Sequence, residues 1–406
     1  MTKQKLLFVN ESLTLAGGEK SLIALLNNLD PALYDIDLQL FKYGGELDEF
    51  VPEYVNVLPP LPYTLYVERS WKHNVLECLK GKHWKFFKSK LAYSINIRRG
   101  NFNHPEKAQL YWESVASSIT QSKENYDVAI AYAQGIPTFY VMDKVNAHNK
   151  VAWVNVNVKF PKNNKKFNAL YYKSYDQIVP VSDVTSNHLS ELYPFLEKKL
   201  YTIYDLIDYK SIFKMSNLHP VSFEENTFNI LTVARLNLFQ KGYDITLEAC
   251  KILRDKGIQF HWYAIGEGSY RQEMETYIRE NNLGNYFTFL GTTANPYPYF
   301  KAADLYVQTS RHEGFGLSIA EARLLNTPVV TTRFDTVYMQ MVDGKNGLVT
   351  DMNAEAVAEA IIQMMNDQEL YDRIVTYLKN EKKENTETVK KFDAMIEELL
   401  KNKEEA

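Results

Sequence analysis

Cysteine is almost missing from this chain. Cys78 and Cys250 are the only two in 406 residues, they lie far apart, and neither belongs to a CxxC pair. That excludes a disulfide framework and gives no sign of a zinc site; such thiols read as reduced, buried residues of a cytosolic protein. Long apolar runs are missing too. Nowhere do 18 consecutive apolar residues occur, and the run Leu6–Val9 ends at Asn10, too short for a signal-peptide core or a membrane span. Neither charge dominates: 46 Lys and Arg face 50 Asp and Glu, a net charge of −4, so whole-chain charge offers no argument for nucleic acid. No internal repeat stands out. There is no GxGxxG and no DxD motif in a metal-ligating context, so nothing here asks for a resident metal or cofactor. What is present is an ordinary globular composition, 45% hydrophobic and 24% charged, with 28 tyrosines and 21 phenylalanines. A chain of this length exceeds one ordinary core and suggests two domains.

Short apolar runs alternate with helical stretches. Leu6–Val9 reads as a strand, Gly17 and Gly18 follow, and Ser21–Leu29 reads as a helix before the strand Tyr34–Phe41. Asp127–Tyr132, Lys150–Val154 and Gln177–Val181 continue the series. A second series starts at Phe228–Ala234 and runs through Gln259–Ile265, Phe287–Leu290, Asp304–Gln308, Pro328–Thr332 and Gly347–Thr350. The pattern predicts an α/β fold with parallel sheets covered on both faces. The expected organisation is an N-terminal Rossmann-like domain at 1–205, a polar linker at 206–226, a second Rossmann-like domain at 227–380 and a charged helical tail at 381–406.

In open α/β sheets, ligands sit at the carboxyl ends of strands, beside helix N-termini. One such place is RHEGFGLSIAEA, residues 311–322, where Glu313 and Glu321 are separated by seven residues. The strand at 304–308 ends just before it and a helix begins near Leu317. Glycines at 314 and 316 permit positive φ and close approach of a ligand to the backbone. The helix start favours an anion, and both acids can border one pocket. The alternative is an exposed loop acid and a helix-surface acid. Arg235 and Lys241 lie at the end of a strand and in the following loop, placed for an anion or simply solvated.

Five pieces in order carry a resemblance: Leu231–Arg235 with Gln240-Lys241-Gly242, Ile265–Gly268, Phe289–Gly291, Ala303–Arg311, and Glu313–Leu317 with Glu321. Asp343–Leu348 closes the region. In these pieces the chain resembles the retaining glycosyltransferases of family 4 and their EX7E motif, most strongly from about 229 to 350, and among them bacterial capsular and exopolysaccharide enzymes. Gly17-Gly18-Glu19 resembles the family's first glycine loop. Ile203–Asp208 resembles its interdomain segment, with Asp205 where an asparagine is usual.

The resemblance implies a GT-B fold, two Rossmann-like domains whose sheets face each other across a cleft, and transfer of a sugar from a nucleotide donor, UDP-linked by expectation, to a saccharide or lipid-linked acceptor without a metal. Arg235 and Lys241 would stabilise the departing diphosphate. Glu313 would face the donor sugar and Glu321 would hold ribose hydroxyls. Phe315, Gly316 and Leu317 would offer backbone amides, and Gly266 and Gly268 would border the same cleft. Gly17 and Gly18 would approach the diphosphate from the other domain. Glu267 and His312 read as loop side chains. The family commonly carries a histidine after a strand in its first domain, where this chain has Ala152-Trp153-Val154-Asn155. Asparagine cannot act as a base, so Asn155 would position the sugar or the acceptor; His148 precedes that strand.

Residues 69–100 contain nine Lys and Arg, one acid at Glu77, and interleaved Trp71, Trp84, Phe86 and Phe87. An anionic membrane suits such a segment, as does an ordinary solvated helix pair; nucleic acid lacks a reading motif. The tail at 378–406 reads as a charged helix, part of which the resemblance would send back to the first domain. The expectation is a cytoplasmic enzyme, peripheral on the inner face of the membrane, that builds surface polysaccharide. The rivals are a glycosyltransferase-like binding subunit that needs a partner, on the strength of Asn155, and a nucleotide-dependent dehydrogenase, which the missing GxGxxG disfavours.

Overall fold

The architecture is taken from a computed structural model in which residues 3–14, 16–155, 162–381, 383 and 386–401 are described. The chain forms two compact units. The first comprises residues 1–206 together with 386–406, the second residues 207–385.

The first unit is built on a six-stranded sheet of β1 (Gln4–Asn10), β2 (Tyr34–Leu40), β3 (Val55–Val57), β4 (Asn125–Ala131), β5 (Asn146–Val154) and β6 (Gln177–Pro180), in the order 3-2-1-4-5-6. Every pairing is parallel. Parallel strands need both faces covered, which is why β4 is buried without alternation from Val128 to Ala131. One face receives the helix Gly17–Asn28 through Leu22, Ile23, Leu25 and Leu26. The other receives the helices His104–Val115 and Ile136–Lys144, which bury Trp112, Phe139 and Tyr140. Both cysteines are free and buried; burial pushes the Cys250 thiol up to about 12.

The charged tail, set apart as 381–406 in the expected organisation, falls in the unit to which the resemblance sends part of it. The helix Thr386–Lys401 is not a separate element but part of the first unit's core. Its Phe392, Met395, Ile396 and Leu399 lie with Leu22 and Ile36, and the Phe392 ring sits 6.0 Å from Phe8. Tyr34 donates to Asp393 at 2.8 Å and Asn149 to the Leu399 carbonyl at 3.2 Å. Burying a side chain such as Phe392 is worth about 2–3 kcal/mol.

The second unit repeats the plan with β7 (Phe228–Val233), β8 (Phe260–Ile265), β9 (Phe287–Gly291), β10 (Leu305–Gln308), β11 (Val329–Thr332) and β12 (Leu348–Thr350), in the order 12-11-10-7-8-9. Counted from its own first strand this is again 3-2-1-4-5-6, the dinucleotide-fold order whose switch point lies between the first and fourth strands. The helices Tyr243–Asp255 and Ala354–Asn366 cover one face, and Tyr297–Ala302 and Leu317–Leu324 the other. The supposed linker 206–226 also differs from expectation. It contains the helix Tyr209–Ser216, capped by Asp208, which buries Ile212 in the second unit's core and accepts from Asn295 at the Met215 carbonyl, 2.9 Å. A segment read as polar is thus an amphipathic helix with its apolar stripe turned inward.

Candidate active site

The loops after β7 and β8 are drawn together by backbone bonds, Ala234 N–H to Ile265 O at 3.0 Å and Leu236 N–H to Glu267 O at 3.0 Å. The Gly266 amide continues the ladder to Gly291 O at 2.7 Å. This close approach explains the two glycines. A Cβ on Gly266, at φ 150°, would lie 2.0 Å from the Ala234 carbonyl oxygen, and one on Gly268 would lie 2.3 Å from that of Leu236. The structure therefore assigns them a packing role beyond the ligand approach that the resemblance implies. Gly242 is alike: its φ is 67°, and a Cβ there would meet the Thr309 carbonyl oxygen at 2.0 Å. It lets the loop after β7 lie against the loop after β10.

That contact brings together two residues 72 apart in sequence. Lys241 Nζ donates to Glu313 Oε1 at 2.7 Å and Oε2 at 2.9 Å. Gln308 Nε2 donates to the same Oε1 at 3.0 Å, and Ser310 Oγ at 2.6 Å. Gln308 is oriented in turn by the buried Tyr306 hydroxyl, 2.8 Å from its Oε1. The lysine and glutamate side chains retain only 16% and 10% of their exposure, so removing either leaves the other as a largely buried lone charge. An ammonium has three N–H donors; the carboxylate takes two, and the third remains for another acceptor. Arg235, just past the end of β7, is exposed and makes no ion pair among the described residues. A fork of donors and one spare ammonium donor thus lie at the second unit's switch point.

The helix Leu317–Leu324 starts after Gly316, whose φ is 84°. The first amides of any helix have no acceptor within it. Gln340 Nε2 fixes the approach by donating to the carbonyls of Phe315 and, at 3.2 Å, Gly316. Glu321, one turn in, is 2% exposed and accepts from the Tyr297 hydroxyl at 3.2 Å. It is neither the helix-surface acid of the bland alternative nor a solvent-facing ligand, and burial together with Glu321 holds Tyr297 in its protonated form. His312 is exposed, and Glu267 pairs with Arg271 at 2.5 Å, both as loop side chains.

The switch point of the first unit has a different character. Gly17 opens a helix there, and a Cβ on Gly18 would lie 3.1 Å from Asn155 Nδ2. Asn155 donates to the Tyr132 carbonyl at 2.7 Å, while its own Oδ1 is buried with no partner among the described residues. The Tyr132 hydroxyl lies 3.1 Å from Ser21 Oγ, which also accepts from the Leu206 amide at 3.2 Å. Tyr132 stacks on Trp153 at 4.8 Å. Beside them Asp205 is buried; burial pushes its carboxyl up to about 7, with the Ser21 hydroxyl pulling the other way. His148, expected ahead of the strand, lies within β5 near its start and is exposed.

Sequence reasoning named both ends of the Lys241–Glu313 pair but gave them separate tasks. It missed Gln308, Ser310, Tyr306 and Tyr297, and also Arg311, which holds Asp244 through two bonds of 2.8 and 2.6 Å and so ties the loop after β10 to the helix after β7. The available signal was modest: the polar run Gln308-Thr309-Ser310 at the end of the buried strand β10.

Comparison with known proteins shows what the chain is similar to. Residues 216–381 match the family glycosyl transferases group 1, a segment that holds the whole Lys241–Glu313 site. The two sheets have the fold of the GT-B glycosyltransferases. A crystal structure of an Anabaena protein in complex with UDP and glucose superposes with a TM-score of 0.63 at 19% identity, over 92% of this chain and 93% of that one. Among curated proteins, an uncharacterised glycosyltransferase of Methanocaldococcus jannaschii is 24% identical over 318 residues, which is 76% of this chain and 80% of that protein. A poly(ribitol-phosphate) α-N-acetylglucosaminyltransferase of Staphylococcus aureus is 29% identical over 194 residues, 46% of this chain and 38% of that protein. Residues 216–381 are thus similar in sequence to the group 1 glycosyl transferases.

Proposed function

We propose that the chain is a retaining glycosyltransferase that moves a sugar from a nucleotide donor, UDP-linked, to a saccharide or lipid-linked acceptor in the building of a surface polysaccharide or glycoconjugate. The observation that carries this reading is the Lys241–Glu313 pair at the switch point of the second unit, with Gln308 and Ser310 holding the same carboxylate. UDP and glucose in the Anabaena protein and the polymer acceptor named for the Staphylococcus protein support the donor and acceptor classes.

In this reading the donor diphosphate lies against Arg235 and the spare N–H of Lys241. As the bond from the anomeric carbon to the phosphate oxygen breaks, negative charge grows on the leaving group, and two cations placed beforehand stabilise it more than the ground state. Their presence supports a leaving group handled by side chains rather than by a metal. Glu313 faces the sugar, and the amides at Phe315, Gly316 and Leu317 serve sugar hydroxyls or phosphate. Glu321 takes ribose hydroxyls, which requires them to reach the carboxylate that Tyr297 now bonds. The acceptor oxygen bonds to the anomeric carbon on the face the phosphate leaves, and its proton passes to the departing phosphate oxygen, so no histidine is needed. On the first unit, Gly17, Gly18 and Asn155 are assigned to donor phosphate and to sugar or acceptor positioning.

A nucleotide-release assay across a panel of nucleotide sugars, with and without a lipid-linked acceptor, tests this. Acceptor-dependent release with one donor, lost in Lys241→Ala, is expected; release insensitive to Lys241 and Arg235 overturns the assignment. A second reading, a binding subunit that works only with a partner protein, is favoured by Asn155. Tight donor binding in calorimetry, with turnover appearing only when another protein is added, would select it.

A further inference from the structure

We infer that the helices Trp71–Leu79 and Trp84–Asn96 of the first unit form a face that docks on an anionic lipid bilayer. Of the five tryptophans in the chain, Trp112, Trp153 and Trp262 are buried, whereas Trp71 and Trp84 are 48% and 53% exposed, and both belong to this helix pair. They are not scattered. The Phe87 ring lies 5.5 Å from Trp71 and 5.9 Å from Trp84, so side chains of two helices gather into one solvent-facing aromatic cluster. Further apolar residues are exposed on both helices. On the second, Trp84, Leu91 and Ile95 fall at i, i+7 and i+11, one stripe, and all three are exposed. On the first, Leu76 and Leu79 are exposed, Leu79 by 81%. A soluble fold gains nothing from leaving such a set in water, and contiguous exposed apolar surface marks an interaction site.

The charges around the cluster select the partner. Lys72, Lys80, Lys82, Lys85 and Lys88 are exposed on the same two helices or the turn between them, and Lys88 Nζ lies 5.3 Å from the Trp84 ring. The one acid of the segment, Glu77, is approached by Arg69 at 3.9 Å and His83 at 3.7 Å, and with Glu68 just before the segment it leaves the lysines in excess. A chain with net charge −4 thus collects an excess of cations at this face. A soluble polyanion, nucleic acid included, would engage the lysines but leave Leu76, Leu79 and the tryptophans in water. A bilayer surface satisfies both sets: anionic headgroups meet the lysines, and indole rings and leucines enter the interfacial layer where Trp is favoured. At 9 and 13 residues the helices lie on a membrane rather than cross it. The inference stands apart from the sugar-transfer reading, because its measurement needs no turnover.

The test is flotation of the full chain with vesicles of phosphatidylglycerol and phosphatidylcholine, against phosphatidylcholine alone. Retention on the anionic vesicles only, weakened by salt, is expected. Neutralising Lys72, Lys80 and Lys82 to Gln should lower partitioning about five-fold per charge. The triple variant Trp71→Ser, Leu79→Ser, Trp84→Ser should lower it at least about ten-fold even at low salt. Because these side chains are exposed, thermal unfolding of the variants should match the parent, which separates lost docking from lost folding. Brominated lipids should quench tryptophan emission in the parent and not in Trp71→Phe with Trp84→Phe. Equal partitioning to both vesicle types, or none to either, would overturn the inference. So would anionic-vesicle binding that the apolar triple variant leaves unchanged, with soluble polyphosphate bound as tightly, since that would mark a polyanion surface.

Discussion

At the switch point of the second unit, Lys241 and Glu313 place one charge of each sign at the edge of a sheet, with Arg235 exposed beside the same strand end. At the corresponding point of the first unit, the strands lead to Ser21, Tyr132 and Asn155, Glu19 lies in the first turn of the helix, and the buried Asp205 is held toward its neutral form. The strand order is the same in both. What differs is the bonding at the strand ends: a lysine–glutamate ion pair in the second unit, neutral side chains and a buried carboxyl in the first. A diphosphate needs fixed cations because charge grows on it during the reaction, whereas a sugar or acceptor hydroxyl needs hydrogen bonds, and an ion buried nearby would have to be desolvated at cost. The comparison teaches that one topology presents two chemically different surfaces according to which residues follow the strands.

The comparison breaks most sharply at Asp205. Its carboxyl titrates near 7 in the fold against an ordinary value of 3.8. Between those values the folded chain binds a proton that the unfolded chain has lost, so this group's contribution to stability falls as pH rises from about 4 to about 7 and is flat above. A shift of three units corresponds to about 4 kcal/mol. Asp205→Asn should remove the slope: denaturation at pH 4.5, 6 and 8 should show a variant close to the parent at the lowest pH and increasingly more stable than it toward pH 8. A difference that does not change with pH would mean Asp205 ionises freely, and the first unit would then carry charge too.

The second unit's ions are tested by removal. Lys241→Ala and Arg235→Ala should each lower transfer at least about 100-fold, about 2.7 kcal/mol of transition-state stabilisation, and Glu313→Ala should be as severe; turnover assays with saturating donor read this directly. Asn155→Ala should be milder, about ten-fold, with donor affinity by calorimetry unchanged, because a neutral side chain only orients. An Asn155 effect equal to that of Lys241 would erase the distinction. Smallest of all, Arg311→Ala should cost about 0.5–1 kcal/mol of stability, since its bridge to Asp244 is partly solvated; thermal unfolding measures it, and transfer should change less than three-fold.

Much of this was legible before the fold. Buried runs such as Val128–Ala131 announce themselves as strands, and Glu313-Gly-Phe-Gly marks a strand-to-helix turn at which ligands bind. The pairing of Lys241 with Glu313 was not, because the contact spans 72 residues and depends on Gly242 passing against Thr309, a backbone approach that spacing does not encode. Tyr297 is 24 residues from the carboxylate it bonds. β3 has three residues, too few for any period to show. The helix Tyr209–Ser216 was hidden by its polar face, and the depth of Asp205 by the polar sequence around it.

The helix Thr386–Lys401 has a consequence for synthesis. The first unit's sheet is made before the second unit, yet the helix that carries Phe392 and Ile396 onto its face follows it, after about 180 residues of the second unit. At typical elongation rates that interval is roughly ten to forty seconds. During it one face of the sheet waits without its final layer, while the second unit, contiguous in sequence, can complete its own. A chain cut short by a late stop codon or a nick before residue 386 would therefore carry an intact charged site on one half and an exposed apolar sheet on the other. The helix Thr386–Lys401 therefore couples completion of the first unit to synthesis of the second.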